Sequence, residues 1–418
     1  MIQTSLLKNG IRVVTDTHSL SHTVTFGIWV GVGARYETPD INGISHFLEH
    51  MAFTGTKTRS SEQIASEIED VGGYMNAYTG REMTAYHFRV LKNDWQLALN
   101  ILADIFQNTQ MYEKELNKEK GVIIQEIKMY NDTPSSLVYR HFMETIYPGQ
   151  PMGRPILGSI ETVEAITAEK LKNYMQTQYA AEKMVISASG NLNHQDFVDK
   201  CSELFINVNT NPGKKYAPAT YQGGEKRILK DNEQVNIMLG FQGFSILDPD
   251  YYAAEVLSSI LADGFSSILF QEIREKRGLV YSIQADNIWG SDSGVFAVSA
   301  GTGPKEVAEL MPVLCDCLTD LEHSITQERI LRGQALIKAR ILMRWENIST
   351  HAEGNARDLL VRGQIIDKQE VIRLIESVTK KELMRVADRI FKTSPSLAAL
   401  GPISDVMPYE KIIERLKK

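Results

Sequence analysis

Apolar and polar positions along the chain switch between two periods. The opening stretch, MIQTSLLKNGIRVVTD, predicts two short strands around a turn at Lys8-Asn9-Gly10. The apolar run starting at Val24, VTFGIWVGV, predicts another strand, and the period then becomes helical. From about Asn42 to Met51, the residues Ile44, Phe47, Leu48 and Met51 make one apolar stripe, with Asp40 or Asn42 as candidate caps. A further helix starts at Ser60 or Ser61 and ends at Gly72-Gly73, and the run GGYMNAYT after it alternates as a strand does. Residues 115–132 predict a long helix with Leu116, Ile123, Ile127 and Tyr130 on one side. Residues 207–226, NVNTNPGKKYAPATYQGGEK, carry no apolar period and predict a linker.

The two sides of that linker repeat one another. Each begins with apolar strands, a turn ending in Pro-Asp and a helix; the pairs Pro39-Asp40 and Pro249-Asp250 are 210 residues apart. Each ends with a small-residue strand, a glycine and an amphipathic helix; Gly190 and Gly401 are 211 residues apart. Two markers with nearly one offset predict two copies of one α+β domain. The boundaries expected are 1–208, a linker over 209–227, and 228–418.

Composition narrows the classes. With 418 residues, 43% hydrophobic and 23% charged, the chain is long enough for two cored domains. A net charge of -7 argues against nucleic acid and acidic membranes as partners, and no apolar run is long enough to span a bilayer. The N-terminus has no charged segment followed by an apolar one, which predicts residence in the cytoplasm. Cys201, Cys315 and Cys317 give no disulfide framework. Gly31-Val32-Gly33 lacks the third glycine and the helix of a dinucleotide loop.

Candidate chemistry sits on the first apolar helix, in SHFLEHM. His46 and His50 are four residues apart and so stack on one helix face, with Glu49 bordering it. Two imidazoles at this spacing reach one ion, and a carboxylate beside them can hold a water. The same spacing fits two helix-surface histidines with an i+3 acidic partner. Shifted by 210, the three positions become Val256, Ser259 and Ile260; shifted by 211, Leu257, Ile260 and Leu261. The second copy therefore does without the polar set, and the fold does not require it. A third ligand is expected on the helix 115–132, where Glu119 and Glu126 share a face two turns apart, a spacing that also suits a solvated acidic face.

HFLEH, followed by a glutamate 76 residues after His50 with another seven before it, resembles the pitrilysin/insulinase (M16) zinc peptidases. GGYMNAYTGREMTAYHF, PMGRPILGS and LADGFSSILFQEIREKRGLVYS extend the resemblance over essentially the whole chain. It is nearest to the half-length branch of the mitochondrial processing peptidase β subunit and bacterial relatives. The resemblance implies one Zn2+ held by His46, His50 and Glu126, with Glu49 as general base and Glu119 as supporting acid. It implies that Asn76 and Ala77 lie on an edge strand that pairs with extended peptide substrates. Arg274 and Tyr281 would hold the substrate backbone and the carbonyl oxygen as it gains charge. Two homologous domains, each a mostly antiparallel sheet packed against helices, would form half of a clamshell-like chamber. The expected function is a zinc-dependent endopeptidase acting on extended peptides or unfolded segments, as a homodimer or with a sister subunit; the alternative is a non-catalytic partner subunit of a larger assembly. The β subunit's acidic pair for substrate arginine is replaced here by Ser136 and Arg140, which removes the basis for an arginine preference and points to a bacterial-type relative.

Overall fold

The computed structural model describes residues 1–211 and 215–417, so part of the predicted linker, 212–214, lies outside the described residues. Among the described residues, eleven strands form two mixed sheets. The first contains β1 (Ile2–Leu6), β2 (Arg12–Thr17), β3 (Thr23–Val30), β4 (Tyr74–Thr79), β5 (Thr84–Leu91) and β6 (Met184–Gly190), in the order β1-β2-β6-β3-β5-β4. The second contains β7 (Gly224–Leu229), β8 (Val235–Gln242), β9 (Val280–Trp289), β10 (Gly294–Thr302) and β11 (Ser396–Gly401), in the order β7-β11-β8-β10-β9. Apart from β1, the second order repeats the first strand for strand. Each sheet has one parallel pair, β2 with β6 and β7 with β11, and is otherwise antiparallel.

The marker glycines have a steric reason. Gly190 and Gly401 end equivalent strands at φ +134 and +124, and a Cβ there would lie 2.3 Å from the Thr23 carbonyl oxygen and 2.4 Å from that of Gln234. Only glycine fits both the backbone angle and the approach.

The compact units differ from the two sequence halves. One consists of Met1–Met129, Arg154–Ala217 and Arg344–Ile365; the other of Tyr130–Gly153, Pro218–Met343 and Ile366–Lys418. The reason is packing. In the first unit, Ala352, Ala356 and Leu359 of the helix Ile348–Arg362 cover Val14, Trp29, Ala85 and Val185 of the sheet. In the second, Leu137, Val138 and Phe142 of the helix Pro134–Ile146 cover Met238, Ala297, Ala398 and Leu400. One face of each sheet is thus closed by a helix from the other half of the sequence. The opposite faces carry larger cores around Phe26, Phe47, Leu99 and Phe197 in the first unit and Leu239, Leu257, Phe296 and Leu383 in the second.

Local expectations hold in part. The helix Ser61–Glu69 starts at Ser60, whose hydroxyl accepts from the Gln63 N–H in a capping box. The long helix spans Glu113–Asp132 and buries Leu116, Ile123 and Ile127, but Tyr130, where the second unit begins, is 45% exposed. No helix among the described residues is long and apolar enough to cross a membrane.

Candidate metal centre and active site

The helix that carries His46, Glu49 and His50 spans Ile44–Met51, and Ile44, Phe47, Leu48 and Met51 are its buried stripe. Its start is two residues later than the sequence suggests, and neither Asp40 nor Asn42 caps it. Glu37, fully buried, does so from outside the helix. Its carboxylate accepts from the Gly43 N–H (2.7 Å), the Ser45 N–H (2.9 Å) and the Asn42 side-chain amide (2.8 Å). Negative charge at a helix N-terminus satisfies otherwise orphaned amides. Burial pushes the Glu37 carboxyl up from its ordinary value, against the downward pull of the Ser45 and Gly43 amides.

His46, His50 and Glu126 come together from two helices. Glu126 Oε2 lies 3.5 Å from His46 Nε2 and 3.7 Å from His50 Nε2, and the three candidate ligand atoms all lie within 4.8 Å of one another. The two imidazole rings meet at 64° with centroids 4.6 Å apart. Glu119, one of the few buried carboxylates, reaches His50 Nδ1 at 3.1 Å. That bond places the ring proton on Nδ1 and turns the Nε2 lone pair toward Glu126. Burial, with the nearby His50 ring, pulls His46 down to about 4, so this imidazole is neutral at pH 7 as a metal ligand must be. For His50 burial acts downward too, but the adjacent Glu126 and Glu119 carboxylates, which favour a charged ring, outweigh it and the net shift is up. The nearby His50 ring in turn holds Glu126 below the usual carboxylate range. Two imidazoles and one carboxylate with convergent lone pairs are a donor set that fits zinc with one open position.

Glu49 lies on the same helix, half-buried, and its Oε2 accepts from the Thr79 hydroxyl at 2.5 Å. Burial raises the Glu49 carboxyl above its ordinary value; the Thr79 bond opposes this. Thr79 was not singled out in the sequence, although it stands two residues after Ala77 and so shares its face of the strand. Asn76 and Ala77 are on β4, which among the described residues pairs only with β5 and forms one edge of the sheet. Asn76 is exposed and its side-chain oxygen accepts from the Ala77 N–H at 2.9 Å. A cavity of about 970 Å³ is lined by Glu49, His50, Phe53, Asn76, Ala77 and Glu119, among others.

Arg274 and Tyr281 lie in the second unit. Arg274 belongs to the π-helical turn Phe270–Glu275, with its guanidinium 4.8 Å from the Phe270 ring centroid and 5.8 Å from that of Tyr281. Tyr281, near the start of the edge strand β9, is 78% exposed, not buried as a core strand residue would be. Ser136 and Arg140 are on the helix Pro134–Ile146, where Arg140 donates to the Asn131 side chain at 2.5 Å.

The sequence pattern described as Insulinase (Peptidase family M16) matches residues 12–160, and that of the Peptidase M16 inactive domain matches residues 165–337. An uncharacterized zinc protease of Rickettsia bellii is 37% identical over 399 residues, 95% of this chain and 97% of that protein. The chain belongs to the insulinase family, peptidase family M16. Its M16 relatives include a probable mitochondrial-processing peptidase subunit beta of Arabidopsis thaliana, 33% identical over 98% of this chain and 80% of that protein. A Helicobacter pylori protease of known structure shares the fold, with a TM-score of 0.88 at 22% identity over 96% of this chain and 99% of that one. The two-domain α+β architecture is that of the family, and its zinc proteases place this chain among metallopeptidases.

Proposed function

We propose that the chain is a zinc-dependent endopeptidase that hydrolyses extended peptides or unfolded segments in a closed chamber. The observation that carries this reading is the meeting of His46, His50 and Glu126 beside Glu49, next to an edge strand. Zinc held by these three side chains would polarise the scissile carbonyl and acidify the attacking water. Glu49 takes the proton from that water and returns it to the leaving amine. Thr79 fixes the Glu49 carboxylate, and Glu119 keeps the His50 ring in the tautomer that presents Nε2. Main-chain groups of β4 at Asn76 and Ala77 pair with the substrate as an added strand, which selects extended peptides over folded ones. Arg274 and Tyr281 are the proposed donors to the carbonyl oxygen as it gains negative charge. One catalytic ion per chain, a bacterial cytoplasmic setting, and a homodimer or sister-subunit pair complete the reading.

The relative named as a processing peptidase subunit favours a second reading, a partner subunit that does not cleave on its own. Metal analysis with a quenched-fluorescent peptide library separates the two. Bound zinc and cleavage by the isolated chain support the peptidase; a zinc-free, inert chain in its native assembly supports the partner. Glu49→Gln is expected to lower kcat/KM by about 10²–10⁴-fold with zinc retained. A near-normal rate would remove Glu49 as the base.

A further inference from the structure

A second group of metal-ligating side chains lies in the first unit, away from the helix Ile44–Met51. His351 stands in the first turn of the helix Ile348–Arg362 that covers the sheet. Its ring is held between two acceptors: Nε2 is 2.6 Å from the Trp345 carbonyl oxygen and Nδ1 is 2.7 Å from Asp16 Oδ2. Asp16, on β2, and His351 are both buried. His18 brings Nε2 to 3.2 Å from the same Asp16 oxygen, and its ring meets that of His351 edge-on with centroids 4.7 Å apart. The other oxygen, Oδ1, faces the Met1 amino group at 3.4 Å. The three candidate ligand atoms lie within 4.8 Å of one another.

A neutral imidazole carries one ring proton. The Trp345 carbonyl and the Asp16 carboxylate can both only accept, so one proton serves one of them; with it on Nε2 toward Trp345, a lone pair is left on Nδ1. A lone pair and a carboxylate oxygen at 2.7 Å repel unless positive charge lies between them. A proton there, making His351 an imidazolium, answers that contact alone. It leaves His18 Nε2 buried, 3.2 Å from the same Asp16 oxygen but with no hydrogen bond among the described residues. A cation satisfies all three atoms at once. Two imidazole nitrogens and a carboxylate oxygen, with a backbone carbonyl orienting one ring from behind, suit zinc. The His18 side chain is 35% exposed, which gives an ion a way in.

We propose that Asp16, His18 and His351 form a second, structural zinc site that pins the helix Ile348–Arg362 to β2. The ion would close a loop of more than 300 residues between a strand of the first half and a helix of the second. The test uses the full-length chain, stripped with a chelator and titrated with zinc against a competing chromophore. A His46→Ala/His50→Ala variant, which lacks the first site, is expected to keep one tight equivalent of zinc and to melt several degrees higher when zinc is added. Adding His18→Ala is expected to abolish both effects. His18 is partly exposed, and circular dichroism checks that its loss leaves the fold intact. If the double and triple variants bind equal zinc, or gain equal thermal protection, the group is an imidazolium–carboxylate pair and the site is overturned. That comparison does not depend on whether the first site binds metal.

Discussion

The helix Ile44–Met51 and its companion Glu113–Asp132 have counterparts in the second unit, Tyr251–Ala262 and Gln327–Arg344. The two companion helices match in their buried positions, Leu116 with Ile330 and Ile123 with Ile337. The same register sets Glu119 against Gly333 and Glu126 against Arg340. In the first pair, Glu119 reaches across to His50. In the second, Gly333 meets Ile260, the counterpart of His50, so closely that a Cβ on it would lie 3.0 Å from the Ile260 side chain. Arg340 turns to Asp263 at 3.2 Å. In one pair, side chains with convergent lone pairs occupy the space between the helices; in the other, a glycine sets backbone against the Ile260 side chain. The candidate metal site thus depends on side chains that the second copy replaces with a glycine and an isoleucine.

That contrast can be broken from either side. Glu126→Gln should cause the largest change: zinc at the first site and peptide cleavage should both be lost, read by metal analysis and a quenched-peptide assay. Glu119→Gln leaves the three ligands but frees the His50 ring, and should lower zinc affinity or activity about 10–100-fold. On the silent side, Gly333→Leu should destabilise the protein by about 1–3 kcal/mol in urea unfolding, by forcing the helices apart. The kcat/KM of its folded fraction should be unchanged. Thr79→Val should give the smallest effect and the most specific one. Glu49 acts as a base only when ionised, and the Thr79 hydroxyl opposes its burial-raised value. Without that bond the acid limb of the kcat/KM profile should move to higher pH, with little change on the alkaline side.

Much of this contrast was legible in the sequence because it is local. The apolar stripe Ile44, Phe47, Leu48 and Met51, the Ser60 cap and the paired glycines at 190 and 401 each depend on neighbours within one or two turns or on a steric limit only glycine meets. Glu37 was missed because its capping role comes from a carboxylate folded back from outside the helix, while Asp40 and Asn42 stood where a local cap belongs. The composition of the two units was missed for a similar reason. An amphipathic helix declares which of its faces is apolar but not which sheet it covers, and the helices Pro134–Ile146 and Ile348–Arg362 each cover the sheet of the other half. Asp16 and His351 meet across 335 residues, beyond the reach of any spacing pattern.

The crossing of those two helices also sets a timetable for synthesis. All strands of the first sheet have been made once Gly190 is in place, yet Trp29 and Val185 stay bare until the helix ending at Arg362 emerges. At about 5–20 residues per second, that wait lasts roughly 10–30 s. During it an apolar sheet face is open to chaperones or to a neighbouring nascent chain. Either half translated alone would keep its sheet face bare, so the linker marks a seam in the sequence and not the border of a self-sufficient half.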